Sequence, residues 1–259
     1  MSRPLVVVTD TVFPDLRITH EILSPLCDLV VVEERGDAQL MPLLHDAVGV
    51  INCGVQLTPE HLRQMTRCKI ISRTGIGVDT VPLELAKQLL IRVTNVPDYC
   101  LDEVADHTFA LMLSLRRGIV RAANSTRSGG WDGQAAGELT RLRGQIFGLL
   151  GFGRIARAVA TRASAFGFEV IAHDPYCDAK AFEAVEVTSV SYDEILSTSD
   201  VLSLHVPLTS ANRHMIDTQA ISRMKKSAIL LNTARGGLID TVAVIDAVKR
   251  GRLGGAGLD

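Results

Sequence analysis

No apolar run in the 259-residue sequence reaches the ~18–20 residues that a helical membrane span requires. The stretch Met1 to Asp10 opens directly into a β-rich run and lacks the cleavage region of a signal peptide. There is no Cys-x-x-Cys pair. The five cysteines (Cys27, Cys53, Cys68, Cys100 and Cys177) are odd in number and scattered, which argues against a zinc site. They read as reduced thiols, each a small buried apolar residue, in a cytoplasmic protein. An excess of either charge is also missing. The net charge is −2, so no global basic field points to nucleic acid or a membrane surface. No internal repeat and no low-complexity segment occurs.

What is present fits a globular α/β protein. Hydrophobic residues make up 47% of the chain, enough for buried cores, and its length suits two domains. A first alternating series has strands at 5–9, 28–32, 48–52, 69–72 and 91–94. Helices fall between them at about 15–25, 40–45, from Thr58, and 82–89. Alternation of this kind predicts a parallel sheet covered on both faces. Thr58-Pro59 reads as a capped helix start with proline at the first position. After Pro97 an acid-rich first turn opens a long helix toward Gly118. Residues 119–145 are less regular and hold the only tryptophan, Trp131. Arg116, Arg117, Arg121, Arg127, Arg141 and Arg143 cluster there, as a solvated face or as an excursion packing on a partner subunit. A second series starts at Ile146. Its strands fall at 146–150, 169–172, 185–188, 200–204, 227–231 and 254–258, and its helices at 154–165, 191–197, 217–224 and 240–250. The expectation is two doubly wound parallel-sheet α/β domains, residues 1–98 and 99–259.

Residues 146–174 carry the strongest chemical signal. An apolar run, Ile146 to Leu150, breaks at Gly151-Phe152-Gly153-Arg154-Ile155-Ala156. A helical pattern follows, and a second apolar run ends in Asp174, 23 residues after Gly151. This is the order of a βαβ dinucleotide-binding unit. Gly151 would make the tight turn, and Gly153 would let the backbone approach a pyrophosphate on the helix N-terminus. Ala156 would be the small residue where helix meets strand. A carboxylate at Asp174 would bind the ribose hydroxyls and repel a 2′-phosphate, which favours NAD over NADP.

Both halves together resemble the D-isomer-specific 2-hydroxyacid dehydrogenases. That group includes phosphoglycerate dehydrogenases, glyoxylate/hydroxypyruvate reductases and C-terminal-binding-protein corepressors. The most specific match is Leu231-Asn-Thr-Ala-Arg235-Gly-Gly-Leu-Ile-Asp240. Others are Arg73-Thr-Gly-Ile-Gly-Val-Asp79, the run Asn95 to His107, and Ser199 to Pro207. Ala165 to Tyr176 looks closest to the corepressor-like branch. The resemblance implies a flavodoxin-like substrate domain, a Rossmann NAD-binding domain, and a cleft between them for NAD and a 2-oxo or 2-hydroxy acid. A homodimer through the NAD-binding domains is likewise implied.

The family's catalytic arginine maps onto Arg235, which follows a strand at the carboxyl edge where α/β ligands bind. Its planar, permanently charged fork suits a carboxylate and an adjacent carbonyl. The family's glutamate and acid–base histidine lie downstream of the motif that reads Gly254 to Asp259 here. Both would fall outside this sequence, which stops at a buried strand and reads as an incompletely represented chain. His205, His214, His107 and His173 read as structural or exposed rather than catalytic, and His20, His45 and His61 as surface residues. For the cofactor the resemblance implies Thr74, Val104, Gly151, Phe152, Gly153, Arg154, Ile155, Asp174, His205, Val206, Pro207, Thr209, Asn212, Thr233, Ala234, Arg235 and Asp259. Thr233 and Ala234 would act through their backbone, and Asp259 on the carboxamide. On the substrate side, Cys53, Gly54 and Val55, and Gly75, Ile76 and Gly77, could present N–H groups to a carboxylate. No phosphate-binding cluster stands out in the first-domain loops. An NAD-dependent oxidoreductase acting on the CH–OH group of a small 2-hydroxy acid is the main expectation. An NAD(H)-sensing protein-binding module of the corepressor type, or an inactive fragment, is the alternative.

Overall fold

The computed structural model describes residues 3–32 and 36–259. The chain divides between Tyr99 and Cys100 into two units. In the first, β1 (Leu5–Val8), β2 (Asp28–Val31), β3 (Ala47–Asn52), β4 (Ile70–Arg73) and β5 (Arg92–Thr94) form one parallel sheet, ordered β2-β1-β3-β4-β5. Helices α1 (Arg17–Leu23), α2 (Asp37–Asp46), α3 (Pro59–Gln64) and α4 (Leu83–Gln88) connect the strands. The order reverses between β1 and β3, and crevices for ligands open outside the carboxyl ends of strands at such a point. Val7, Val50, Ile71, Leu44, Leu57 and Leu62 form the core of this unit.

The second unit opens with α5 (Leu101–Arg116) and α6 (Ile119–Arg127). Its sheet contains β6 (Ile146–Leu150), β7 (Glu169–His173), β8 (Thr188–Ser189), β9 (Val201–Leu204), β10 (Ile229–Asn232) and β11 (Gly255–Leu258). The order is β11-β10-β9-β6-β7-β8, so the reversal lies between β6 and β9. Helices α7 (Arg154–Ala165), α8 (Ala179–Glu183), α9 (Tyr192–Thr198), α10 (Thr218–Arg223) and α11 (Thr241–Lys249) complete the layers.

Strand alternation explains the double cover. Phe147 and Leu149 of β6 join Ile229 and Leu231 of β10 in one core, against α5 and α7. Leu150, Leu202, Leu204 and Leu230 enter the other, against α9, α10 and α11. Successive side chains of a strand point to opposite faces, so an unbroken apolar run is what a doubly covered strand needs. Helix α7 buries Ala156, Val159, Ala160 and Ala163, one stripe at helical spacing. Each fully buried Phe or Leu contributes roughly 1.5–3 kcal/mol.

Several expectations need correction. Residues 119–145 are not uniformly irregular, because α6 occupies their first third. Helix α8 was not expected, and β8 is shorter and later than 185–188. Within the arginine cluster, Arg116 is half-buried and donates to the Asp200 carbonyl, so it is no solvated residue. His61 is buried, not a surface residue. Its ring accepts from the Thr58 N–H at 3.0 Å, while its own N–H donates to the Thr58 hydroxyl at 3.2 Å. Only Cys27 and Cys68 are buried; Cys53, Cys100 and Cys177 are half-buried, and all five are free thiols.

Among the described residues no helix is long and apolar enough to cross a membrane.

Candidate active site

The dinucleotide motif sits at the reversal point of the second sheet. Gly151 follows β6 with φ +88°, and a Cβ there would lie 2.7 Å from the His205 carbonyl oxygen at the end of β9. Only glycine serves at that crossing. Gly153 needs no left-handed backbone; a Cβ on it would meet nothing within 4 Å, so the space over the N-terminus of α7 is open. No side chain caps that terminus. Its first N–H groups and the helix dipole therefore face a space that suits an anion. Ala156 is fully buried where α7 meets the sheet.

The loop is held from below. The Gly151 N–H donates to the His173 carbonyl at 2.9 Å, and the Phe152 N–H donates to Asp174 Oδ2 at 2.8 Å. The Phe152 ring is buried and stacks on Phe182, with centroids 4.5 Å apart. The Phe152 ring thus belongs to the core, and its N–H is already engaged by Asp174. The cradle starts at Gly153, followed by exposed Arg154 and half-buried Ile155. Asp174 accepts a second N–H, from Tyr176, on Oδ1 at 3.0 Å. Each carboxylate oxygen keeps lone-pair capacity for a hydroxyl.

His205 is half-buried and its Nε2 lies 2.9 Å from the Ser203 hydroxyl, two residues back on the same strand face. Loss of water around the ring pushes its pKa down to about 4. The imidazole is neutral at pH 7. Val206 would clash with any Cβ at Gly151, so it lines the same crossing. Asn212 braces its own loop: Nδ2 donates to the Pro207 carbonyl and Oδ1 accepts from the Thr209 N–H, both at 2.7 Å.

Arg235 lies three residues past β10, at the carboxyl edge of the same sheet, and is half-buried. Its Nη1 donates to the Ala234 carbonyl at 2.7 Å. Asn232 shapes this turn, donating to the Arg235 carbonyl at 2.9 Å and accepting from the Ala234 N–H at 3.1 Å. Thr233 Oγ1 lies 2.9 Å from Thr108 Oγ1 on α5, the helix that also carries Val104. Asp259 follows β11, donates its N–H to the Asn232 carbonyl, and places Oδ1 3.9 Å from His107 Nε2.

In the first unit the reversal point holds a buried polar network that sequence reasoning missed. Thr9, Asp10, Asn52 and Arg73 are all buried. The Asp10 carboxylate accepts the Cys53 N–H at 3.1 Å and the Gly54 N–H at 2.7 Å. Burial alone would raise its pKa. The Gly54 N–H, the Thr9 hydroxyl, and the Cys53 and Val55 N–H groups outweigh it and hold the carboxyl below its ordinary value. Cys53 and Gly54, expected to offer their N–H groups to a substrate, give them to the chain's own carboxylate instead. Arg73 donates to the Asn52 side chain at 2.8 Å, to the Gly77 carbonyl at 2.9 Å, and to the Cys53 carbonyl. It ties the 52–55 and 73–80 loops together. The Gly75 and Ile76 carbonyls accept from the Val96 N–H and Asn95 Nδ2. Thr74 Oγ1 is a buried hydroxyl without a hydrogen-bond partner. The signals for the network, Asp10 closing the first apolar run and Arg73 opening a quoted motif, have no meaning in sequence until the loops close on each other.

Two doubly wound units, one with a glycine-turn dinucleotide cradle and an arginine on the same sheet edge, define a nucleotide-dependent α/β protein. Residues 109–259 match the D-isomer specific 2-hydroxyacid dehydrogenase, NAD binding domain. The chain is 39% identical over 231 residues to hydroxypyruvate reductase of Thermotoga maritima, covering 89% of this chain and 74% of the relative. It is 36% identical over 256 residues to D-3-phosphoglycerate dehydrogenase of Methanocaldococcus jannaschii, covering 98% of this chain and 48% of the relative. It spans about half the length of that enzyme. A crystal structure of D-lactate dehydrogenase from Aquifex aeolicus, complexed with NAD and lactic acid, superposes with a TM-score of 0.88 at 32% identity, covering 98% of this chain and 76% of the other. The chain belongs to the D-isomer-specific 2-hydroxyacid dehydrogenase family, and its second unit carries the family's NAD-binding domain. These relatives are dehydrogenases and reductases, and they lend no support to the corepressor reading.

Proposed function

We propose that the protein is an NAD-dependent oxidoreductase acting on the CH–OH group of a small, unphosphorylated 2-hydroxy acid, in the direction of 2-oxo acid reduction. The observation that carries this reading is Arg235 at the carboxyl end of β10, on the same sheet edge as the Gly151–Asp174 cradle. Bound NAD would supply or accept the hydride. The chain's residues bind and orient. The α7 N-terminus at Gly153, Arg154 and Ile155 receives the pyrophosphate, and Asp174 accepts from the adenosine ribose hydroxyls. Val206, Pro207, Thr209 and Asn212 shape the adenine side, with His205 as a neutral wall. Val104, Thr233, Ala234 and Asp259 serve the nicotinamide half. Arg235 binds the substrate carboxylate and draws charge from the adjacent carbonyl. We place the protein in the cytoplasm, as a homodimer through its NAD-binding domains.

The test is titration of the NADH-saturated chain with glyoxylate or hydroxypyruvate. The parent protein should bind the 2-oxo acid. Arg235→Ala should weaken that binding by about 10–100-fold, the loss of charge-assisted hydrogen bonds, and change NADH affinity far less. Equal 2-oxo acid affinity in parent and variant would overturn the role of Arg235. Absence of any 2-oxo acid binding would overturn the substrate class.

A further inference from the structure

We propose that Thr108 is a positioning residue for the nicotinamide half of the cofactor, fixing the Thr233 hydroxyl as an acceptor toward an N–H or O–H donor on bound NAD. The inference rests on the NAD reading of the second unit. Thr108 precedes the segment matched by the family's NAD-binding domain, and it is fully buried inside α5. Its Oγ1 makes two contacts, 2.8 Å to the Val104 carbonyl oxygen and 2.9 Å to Thr233 Oγ1.

The direction of these two bonds follows from counting hydrogens. A hydroxyl has a single hydrogen, and a carbonyl oxygen only accepts. The Thr108 hydrogen therefore goes to Val104, one turn back, the usual bond of a helical threonine. The contact with Thr233 then uses the Thr233 hydrogen. Thr233 spends its only proton inward and presents nothing but lone pairs outward. It follows β10 directly, is half-buried, and stands two residues before Arg235 on the ligand-binding edge.

This polarity sorts ligands. The carboxylate and carbonyl of a 2-oxo acid only accept, so Thr233 holds them off and leaves them to Arg235. The nicotinamide end of NAD brings donors, the carboxamide NH2 and the ribose hydroxyls. Two positions of one turn thus carry opposite hydrogen-bond character, Thr233 for cofactor and Arg235 for substrate. Removing the Thr108 oxygen frees the Thr233 proton to turn outward, where it opposes the ligand's donor.

The experiment is fluorescence titration of NADH into the parent chain, Thr108→Val, Thr108→Ser, Thr233→Val and the double valine variant, with ADP as a probe of the adenosine half. Thr108→Val should weaken NADH about fivefold, the worth of one neutral hydrogen bond. Thr108→Ser should restore it, ADP affinity should not move, and the double variant should bind no worse than Thr233→Val. The 3-acetylpyridine analogue of the reduced cofactor, which lacks the carboxamide N–H, identifies the donor. Sensitivity to Thr108→Val persists if the ribose hydroxyl donates and vanishes if the carboxamide does. Parental NADH affinity in Thr108→Val would overturn the proposal, as would equal losses for NADH and ADP, the mark of a loosened α5. Failure of the parent to bind NADH at all overturns the NAD reading instead.

Discussion

At Gly151 the backbone takes φ +88°, and the His205 carbonyl stands where a side chain would begin. Gly151→Ala should therefore cost about 1–3 kcal/mol in urea unfolding from backbone strain, with NADH affinity falling as the turn shifts. His205 gives a pH signature. Its folded pKa, about 4, lies below the ordinary histidine value of about 6.5. The unfolded chain thus takes up the proton first. The penalty is absent above pH ~6.5, and stability falls as pH drops from there toward 4. Urea melts over this window should show that slope, and His205→Gln should flatten it. Asp10 works in the opposite sense, since its carboxyl is held low. Its stabilisation is present above the ordinary carboxylate range and is lost only as pH falls through the lower folded value. Single residues differ in legibility for a physical reason. The strand-end positions of Gly151, Asp174 and Arg235 were readable because each has a fixed place relative to an apolar run. His61 and Asp10 were not, because their environment exists only after loops or helix ends close around them.

Among elements, the junctions carry the testable energetics. Asp10 ties the end of β1 to the loop after β3 through two N–H groups. Asp10→Ala leaves them without that partner and should cost roughly 1–3 kcal/mol, with faster amide exchange at Cys53 and Gly54. Arg162 joins α7 to α5 by bonds to Asp102 at 3.0 Å and Asp106 at 2.7 Å. Both carboxylates are exposed, so Arg162→Ala should cost no more than about 1 kcal/mol, and less at high salt in paired denaturation curves. Strands were legible as apolar runs, and α7 as an apolar stripe of period 3.6. Helix α6 was not. It has no buried residue, its later positions are Asn, Ser and Thr, and its start depends on Gly118 at φ +59° against Ala136. Helix α8 is too short for a period to show, with only the Asp178 cap announcing it.

On the scale of the molecule, two sheets reverse their strand order once each, and each reversal gathers polar residues: Asp10 with the 53–54 loop in the first unit, Gly151 to Asp174 in the second. Alternation alone read the two doubly wound sheets. Their strand order and the buried polar network were beyond it, because pairing between distant strands leaves no local mark. The proposed function depends on NAD binding at the second reversal and on Asp174 excluding the 2′-phosphate. Parallel fluorescence titrations of the 259-residue chain with NADH and NADPH test it most directly. Saturable NADH binding at least about tenfold tighter than NADPH is expected, consistent with an unpaired charge clash of ~1.4 kcal/mol or more, with a preference that shrinks in Asp174→Ala. Equal affinity for the two cofactors in the parent protein, or no binding of either, would contradict it.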